Sequence, residues 1–514
     1  MSIIASMNIA KTALGVNQFA LNVVSNNVAN MNTEGYMKQR VNLMELEGYS
    51  PYTSAKGLQI FKGGGVGISD ITQYMNEFQL GDLIGQNSSL SSLEALSSGL
   101  KDIADVLNEL GDGALSTAFS EFYSAAQYLS QDPSNSVLRI NYVNAAETVA
   151  ETFNQIYDSL ADKRENLVGN LDYPDSVNKS QAGVLVNDIN ELLKQITSLN
   201  DTIVKVTSSG SVSNELITQR NQLLQDLANY VDFDSSTNTN GSVNINIAGF
   251  DVVRGANQIA ELTIVSGDEA NPAKVQIQTI GDDPKVKVSD IRPHIDGGQL
   301  SGVLNAASSD AEGVTFKKVL DQINAMAKVF AESVNVIQTQ TGAMSITLDA
   351  DGNKILTQST EPLFVFEEGT EFNAGNIKIN QTVYDNPYLV AAAKVEVDAD
   401  GKPVDNRAVG DSNNLKSILD LQNTNFGVLG GVTILGSLEN LVTTVGLEAA
   451  DMQSKVEAQS NVVDQTMSNY LSAGSVNLDE ELIDMIKYQR AYEAASRVVS
   501  TCNQMLQVLV NLGE

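Results

Sequence analysis

Residues 478–509, LDEELIDMIKYQRAYEAASRVVSTCNQMLQVL, decide how the chain is read. Within them Leu478, Leu482, Met485, Gln489, Tyr492, Ala495, Val499, Cys502, Leu506 and Leu509 recur at spacings of four and three. That spacing lays one stripe along a helix and asks for a partner helix. Ile3, Met7, Ala10, Leu14, Asn17, Leu21, Val24 and Val28 form a matching stripe at the opposite end, and each stripe is broken once by an amide. No stretch between the ends sustains such a repeat. The chain therefore reads as a long insertion between two helices that lie against each other, within one chain or between chains. Asn17 and Gln489 then stand as polar positions in the seam, costing stability while disfavouring slipped pairings.

The polar faces of the first helix are unusual. From Met1 to Thr33 the only charged side chain is Lys11, and Asn8, Asn22, Asn26, Asn27, Asn30 and Asn32 supply most of the remaining polarity. Amides can be buried between neighbours at far smaller desolvation cost than unpaired charges, provided they are hydrogen-bonded. This face fits a helix enclosed by other subunits. The expected assembly interface thus comprises Ile3, Met7, Leu14, Asn17, Leu21, Val24, Asn26, Asn27 and Asn30 with the stripe from Leu478 to Leu509.

Composition removes several functions. There are 63 acidic against 31 basic residues, a formal charge of −32, so nucleic acid is not expected as a partner. Cys502 is the only cysteine, which excludes an internal disulfide, and its place on the stripe makes it a small buried apolar residue. His294 is the only histidine, too few for a His-rich zinc site, and no nucleophile elbow accompanies it. Asp349, Asp351, Gly352 and Asn353, and again Asp398, Asp400 and Gly401, lack the glutamate that closes a calcium loop and read as hairpin turns. The glycines at 63–65 and 67 lack the Lys-Ser or Lys-Thr pair of a phosphate loop. No cofactor or metal is expected. No apolar run is long enough to span a membrane, and no cleavable secretory signal opens the chain.

At 514 residues the chain has room for three or four domains. Apolar residues recur at helical spacing from about 76 to 228, with a turn expected at Gly111–Gly113 and a stop at Asp132-Pro133. The period changes to two at Val243–Ile247, Glu261–Ile264 and Val275–Gln278, so a β region is expected over about 230–305. Helical spacing returns near 315–340 and from Ser437 to Tyr470. The expected fold is mixed α and β and multidomain. A discontinuous helical coiled-coil domain comprises 1–35 and 475–514. An elongated helix-rich domain comprises 36–341 and 436–474, and a small all-β outer domain 342–435.

The two ends resemble the flagellar axial proteins. The likeness rests on Ser25-Asn26-Asn27-Val28-Ala29-Asn30 with Asn32-Thr33-Glu34-Gly35-Tyr36, and on Tyr488-Gln489-Arg490-Ala491-Tyr492 near the other end. Ser475-Val476-Asn477-Leu478-Asp479-Glu480-Glu481, the run Gly297-Gly298-x-Leu300-x-Gly302 and the helix from Leu320 to Ile337 resemble the hook–filament junction subunits more than hook or rod subunits. Two departures stand out: Met37-Lys38-Gln39-Arg40 replaces a small polar residue followed by Arg-Gln, and Glu34 stands where proline is common. The resemblance implies a non-enzymatic, extracellular subunit, exported by the flagellar type III apparatus without a cleavable signal. Its C-terminal helix would be held by an export chaperone. The implied assembly is a helical ring of about eleven copies, between the hook protein and a second hook-associated protein, with no membrane insertion. The two stripes offer too little apolar burial to offset the ordering of their residues, so about residues 1–35 and 475–514 are expected to be mobile in the free subunit and to fold on polymerisation. Hook or rod components are the nearest alternative, and a surface hydrolase or adhesin with helical anchoring ends a more distant one.

Overall fold

The computed structural model describes residues 3–33, 36–47, 51–53, 59–61, 63–73, 76–209, 214–281, 284–348, 351, 353–366, 372–396, 398 and 409–511. Glu34, Gly35, Asp349, Gly352, Asp400 and Gly401 lie outside them. The chain is mixed α/β and multidomain, with long helices at both ends and β-sheets within. It opens with α1 (Ile3–Ala29), followed by β1 (Gln39–Glu45), β2 (Pro51–Thr53), β3 (Gln59–Phe61) and β4 (Val66–Gln73). β1 pairs antiparallel with β4, and β2 with β3, as two separate two-stranded ribbons.

Next come α2 (Glu77–Val106), α3 (Ser116–Gln131), α4 (Ser136–Val168), α5 (Gln181–Ser208) and α6 (Asn214–Tyr230). The starts follow from local chemistry: the side chains of Asn76, Asn135 and Ser180 each accept backbone N–H bonds at a helix N-terminus. The expected turn at Gly111–Gly113 does not form. Leu107–Leu115 instead continue as a π-helical stretch, because Leu107 and Leu115 are both pinned in the core and a wider turn lets the chain keep both anchors.

The β region holds β5 (Asp234–Thr237), β6 (Val243–Ile247), β7 (Phe250–Arg254) and β8 (Asn257–Gln258) in one antiparallel sheet. β9 (Ala260–Ser266), β10 (Ala273–Thr279) and β11 (Val286–Val288) form a second. It is followed by α7 (Gly298–Ala307), which the periodicity did not separate from the strands. α7 lies on α2 so closely that a Cβ at Gly302 would sit 2.5 Å from the Ser92 carbonyl oxygen. Only glycine admits that approach.

α8 (Phe316–Thr339) leads to β12 (Ala343–Leu348), β13 (Lys354–Gln358), β14 (Phe364–Phe366), β15 (Ile377–Ile379), α9 (Gln381–Asp385), β16 (Ala393–Lys394) and α10 (Asn413–Asp420). α11 (Ile434–Gly474) and α12 (Leu478–Asn511) close the chain, and α11 runs back along α2.

Two large cores organise the middle. The first gathers α3, α4, α8 and the start of α11 around Phe119, Phe122, Phe153 and Phe330, with Phe119 and Phe330 edge to face at 5.0 Å between ring centroids. The second joins α5, α6 and α7 to the inward faces of β6, β7, β9 and β10. The segment 342–435 differs from expectation. It carries α9 and α10 as well as strands, and its Leu363, Phe364, Ile377, Val383, Leu415 and Ile418 complete the first core. Its short strands bury only a small cluster of their own, Met344, Ala393 and Val395 with Leu356 packed against it. Arg139 helps fasten it: this buried side chain donates to the carbonyls of Pro133, Pro387, Tyr388 and Val390.

Candidate assembly interface

α1 is held on two sides. α12 runs along one side. The β1–β4 ribbon covers another, where Ala20, Val23 and Val41 form a small buried cluster packed by Ile68 and Tyr488. Gly65, at φ +107°, allows the ribbon to seat, since a Cβ there would lie 2.3 Å from Thr12 Oγ1. What the helix pair buries is mostly small: Ala10, Val16, Ala20, Val23 and Val24 on α1, Ala495 and Cys502 on α12.

A polar cluster stands where these elements meet. Asn27, 1% exposed, accepts at Oδ1 from Tyr36 Oη (2.9 Å) and from the Gln39 N–H (3.0 Å). Its Nδ2 donates to the Gln39 carbonyl and to Glu481 Oε2, both at 2.9 Å. These four bonds use the full capacity of a primary amide, so burial leaves nothing unpaired. Glu481, also 1% exposed, pairs through Oε1 with Lys38 Nζ at 2.8 Å, and the same ammonium reaches Glu480 at 3.0 Å. The Lys38 N–H donates to the Gly474 carbonyl at 2.8 Å, at the end of α11. Burial alone would lower the Lys38 pKa, but hydrogen bonds to Glu481 and Glu480 outweigh it and hold it above the ordinary lysine value. Tyr36 is raised by burial, with the Glu481 charge adding to it. Asn477 caps α12 by accepting from the Asp479 N–H at 2.9 Å, and the acidic first turn suits the helix dipole.

The expected interface residues divide accordingly. Val24 and Asn27 are buried; Ile3, Met7, Leu14, Asn17 and Leu21 are half-buried along α1. Asn30 donates to the Asn26 carbonyl and side chain, while Asn26 is exposed beside Tyr36. On α12, Met485, Val499 and Leu506 are half-buried, whereas Leu478, Leu482, Gln489, Tyr492 and Leu509 are exposed. The face turned to α1 near the start of α12 carries Glu481 and Tyr488, one position off the expected stripe. Gln489 therefore does not sit in the seam, and Asn17 donates within its own helix to the Ala13 carbonyl at 2.7 Å. A buried polar contact between the two ends is Asn27 with Glu481. Sequence reasoning named Asn27 but gave no role to Lys38, which appeared only as a departure from the family pattern.

The outward faces carry apolar side chains among polar and charged ones. Ile4 and Phe19 on α1, and Ile483, Ile486, Val498, Met505, Val508 and Val510 on α12, are exposed. Among the described residues no group of three or more His, Cys, Asp or Glu could hold a metal, and His294 is exposed. No helix among them is long and apolar enough to cross a membrane.

Comparison with known proteins agrees along the chain. The family model described as the flagellar hook-associated protein FlgK helical domain matches residues 100–354. Models for the flagella basal body rod protein and for the flagellar basal body rod FlgEFG protein C-terminal region match 7–36 and 467–512. Flagellar hook-associated protein 1 of Bacillus subtilis is 27% identical, over 98% of this chain and 97% of that one. Its namesake in Salmonella typhimurium is 25% identical, over 98% and 99%. The solved flagellar hook junction protein FlgK from Burkholderia pseudomallei shares the fold, with a TM-score of 0.57 and 15% identity over 77% of this chain and 100% of that one.

Paired terminal helices, helical middle and end-specific matches together define a structural protein of the flagellar axis. Within that class the chain is like hook-associated protein 1, FlgK-like from one end to the other.

Proposed function

We propose that the chain is a non-enzymatic, extracellular subunit of the junction between flagellar hook and filament, needed for the filament to assemble. One observation carries this reading: alignment with proteins named flagellar hook-associated protein 1 runs through nearly the whole of both chains, including the helical middle. The ends alone are less specific, since a 36% match to a basal-body rod protein covers only 15% of this chain. That partial likeness favours the hook or rod alternative and is outweighed by the middle.

In this reading copies of the chain form a helical ring through the exposed apolar side chains of α1 and α12, with 1–35 and 475–514 acting as one terminal unit. The hook protein and a second hook-associated protein flank the ring. A chaperone on the C-terminal helix and the type III apparatus deliver the subunit without a cleavable signal. Electron microscopy of cells lacking this protein tests the assignment: hooks without filaments, with flagellin lost to the medium, are expected. Missing hooks would instead support the hook or rod alternative.

A further inference from the structure

We propose that residues 36–39 form a clasp that fixes the angle at which the α1–α12 pair stands on the rest of the chain. Between them these four successive residues engage α1, α2, α11 and α12. Tyr36 and Gln39 bond Asn27 of α1. Met37, 3% exposed, enters the second core with Leu83 of α2 and Tyr470 of α11. Lys38 takes the Gly474 carbonyl of α11 with its N–H, and Glu480 and Glu481 of α12 with its ammonium.

The position matters because α11 and α12 are separated only by the non-helical Ser475–Asn477. A three-residue break of this kind swivels unless both sides are held, and Lys38 holds both. A buried ion pair adds little stability over an apolar replacement, yet losing one partner strands the other charge at high cost. Such a pair therefore specifies geometry more than it stabilises. The clasp is independent of the junction assignment, since it concerns how one chain holds its own parts.

Hydrogen exchange on the full chain tests it, comparing the unmodified protein with Lys38→Met, Glu481→Gln and the double variant. In the unmodified protein, amides at 24–28 and 481–488 are expected to exchange slowly. Either single change should speed them by about tenfold or more, leaving the amides of α4 and α8 as they were. The double variant, with no stranded charge, should exchange more slowly than Lys38→Met alone. Small-angle scattering of the single variants should show a broader spread of long distances at unchanged helix content. Fast exchange at these amides in the unmodified chain, no change in the single variants, simple addition of the two effects, or parallel loosening of α4 and α8 would each overturn the proposal.

Discussion

Asp232, half-buried beside Asp234 and Asp296, shows how a single side chain carries a pH signature. Burial raises its pKa, and the two neighbouring carboxylates raise it further. A carboxyl that holds its proton more tightly when folded costs stability when ionised. That cost is present above the folded value and vanishes as pH falls through it toward the unfolded value near ~4. Asp232→Asn should therefore stabilise the fold at pH 7, by less than about 1 kcal/mol after solvent screening, read as a higher melting temperature, and change nothing near pH 4. A gain that persists at pH 4 would mean the effect is packing and not charge. Residue roles of this kind were only partly legible in sequence. Asn27 was picked out because its helix is nearly free of charge, but Lys38, Glu481 and Arg139 look like any surface charge until the fold surrounds them.

At the scale of elements, α12 is tied down unevenly. Near its start it has the Asn477 cap, Glu481 and Tyr488. Beyond Cys502, among the described residues, only Leu506 is half-buried, while Met505, Val508 and Val510 are exposed. Amide protection in the isolated subunit should fall by about an order of magnitude or more between Ala495 and Val508, and the two should become alike in assembled particles. Uniform protection in the isolated subunit would remove the need for neighbours to order this end. The long helices were readable because apolar periodicity accumulates over many turns. The slip by one position at the start of α12 was not, because Leu482 and Gln489 fit the repeat as well as Glu481 and Tyr488 do, and polar bonding chose between them. The π-helical stretch was read as a turn because glycine pairs signal breaks locally, whereas the leucines flanking them are fixed by distant packing.

For the molecule as a whole, the formal charge of −32 opposes compaction. Raising ionic strength from about 0.01 to about 0.15 M shortens the screening length from roughly 30 to 8 Å. The melting temperature should rise by a few degrees over that range. A fall would show that surface ion pairs such as Lys317 with Glu269 outweigh the repulsion. The arrangement of 342–435 was the least legible part, since strands of two to six residues leave no period to read and their partners come from α3, α4 and α8. The Asn27–Glu481 bond joins positions 454 residues apart. A ribosome that delivers this polypeptide in sequence must hand over everything from Asn27 to Glu481 before that contact can close. Any chain broken off before α12 thus carries α1 without its mate, so synthesis through to α12 is a condition for the pair to mature.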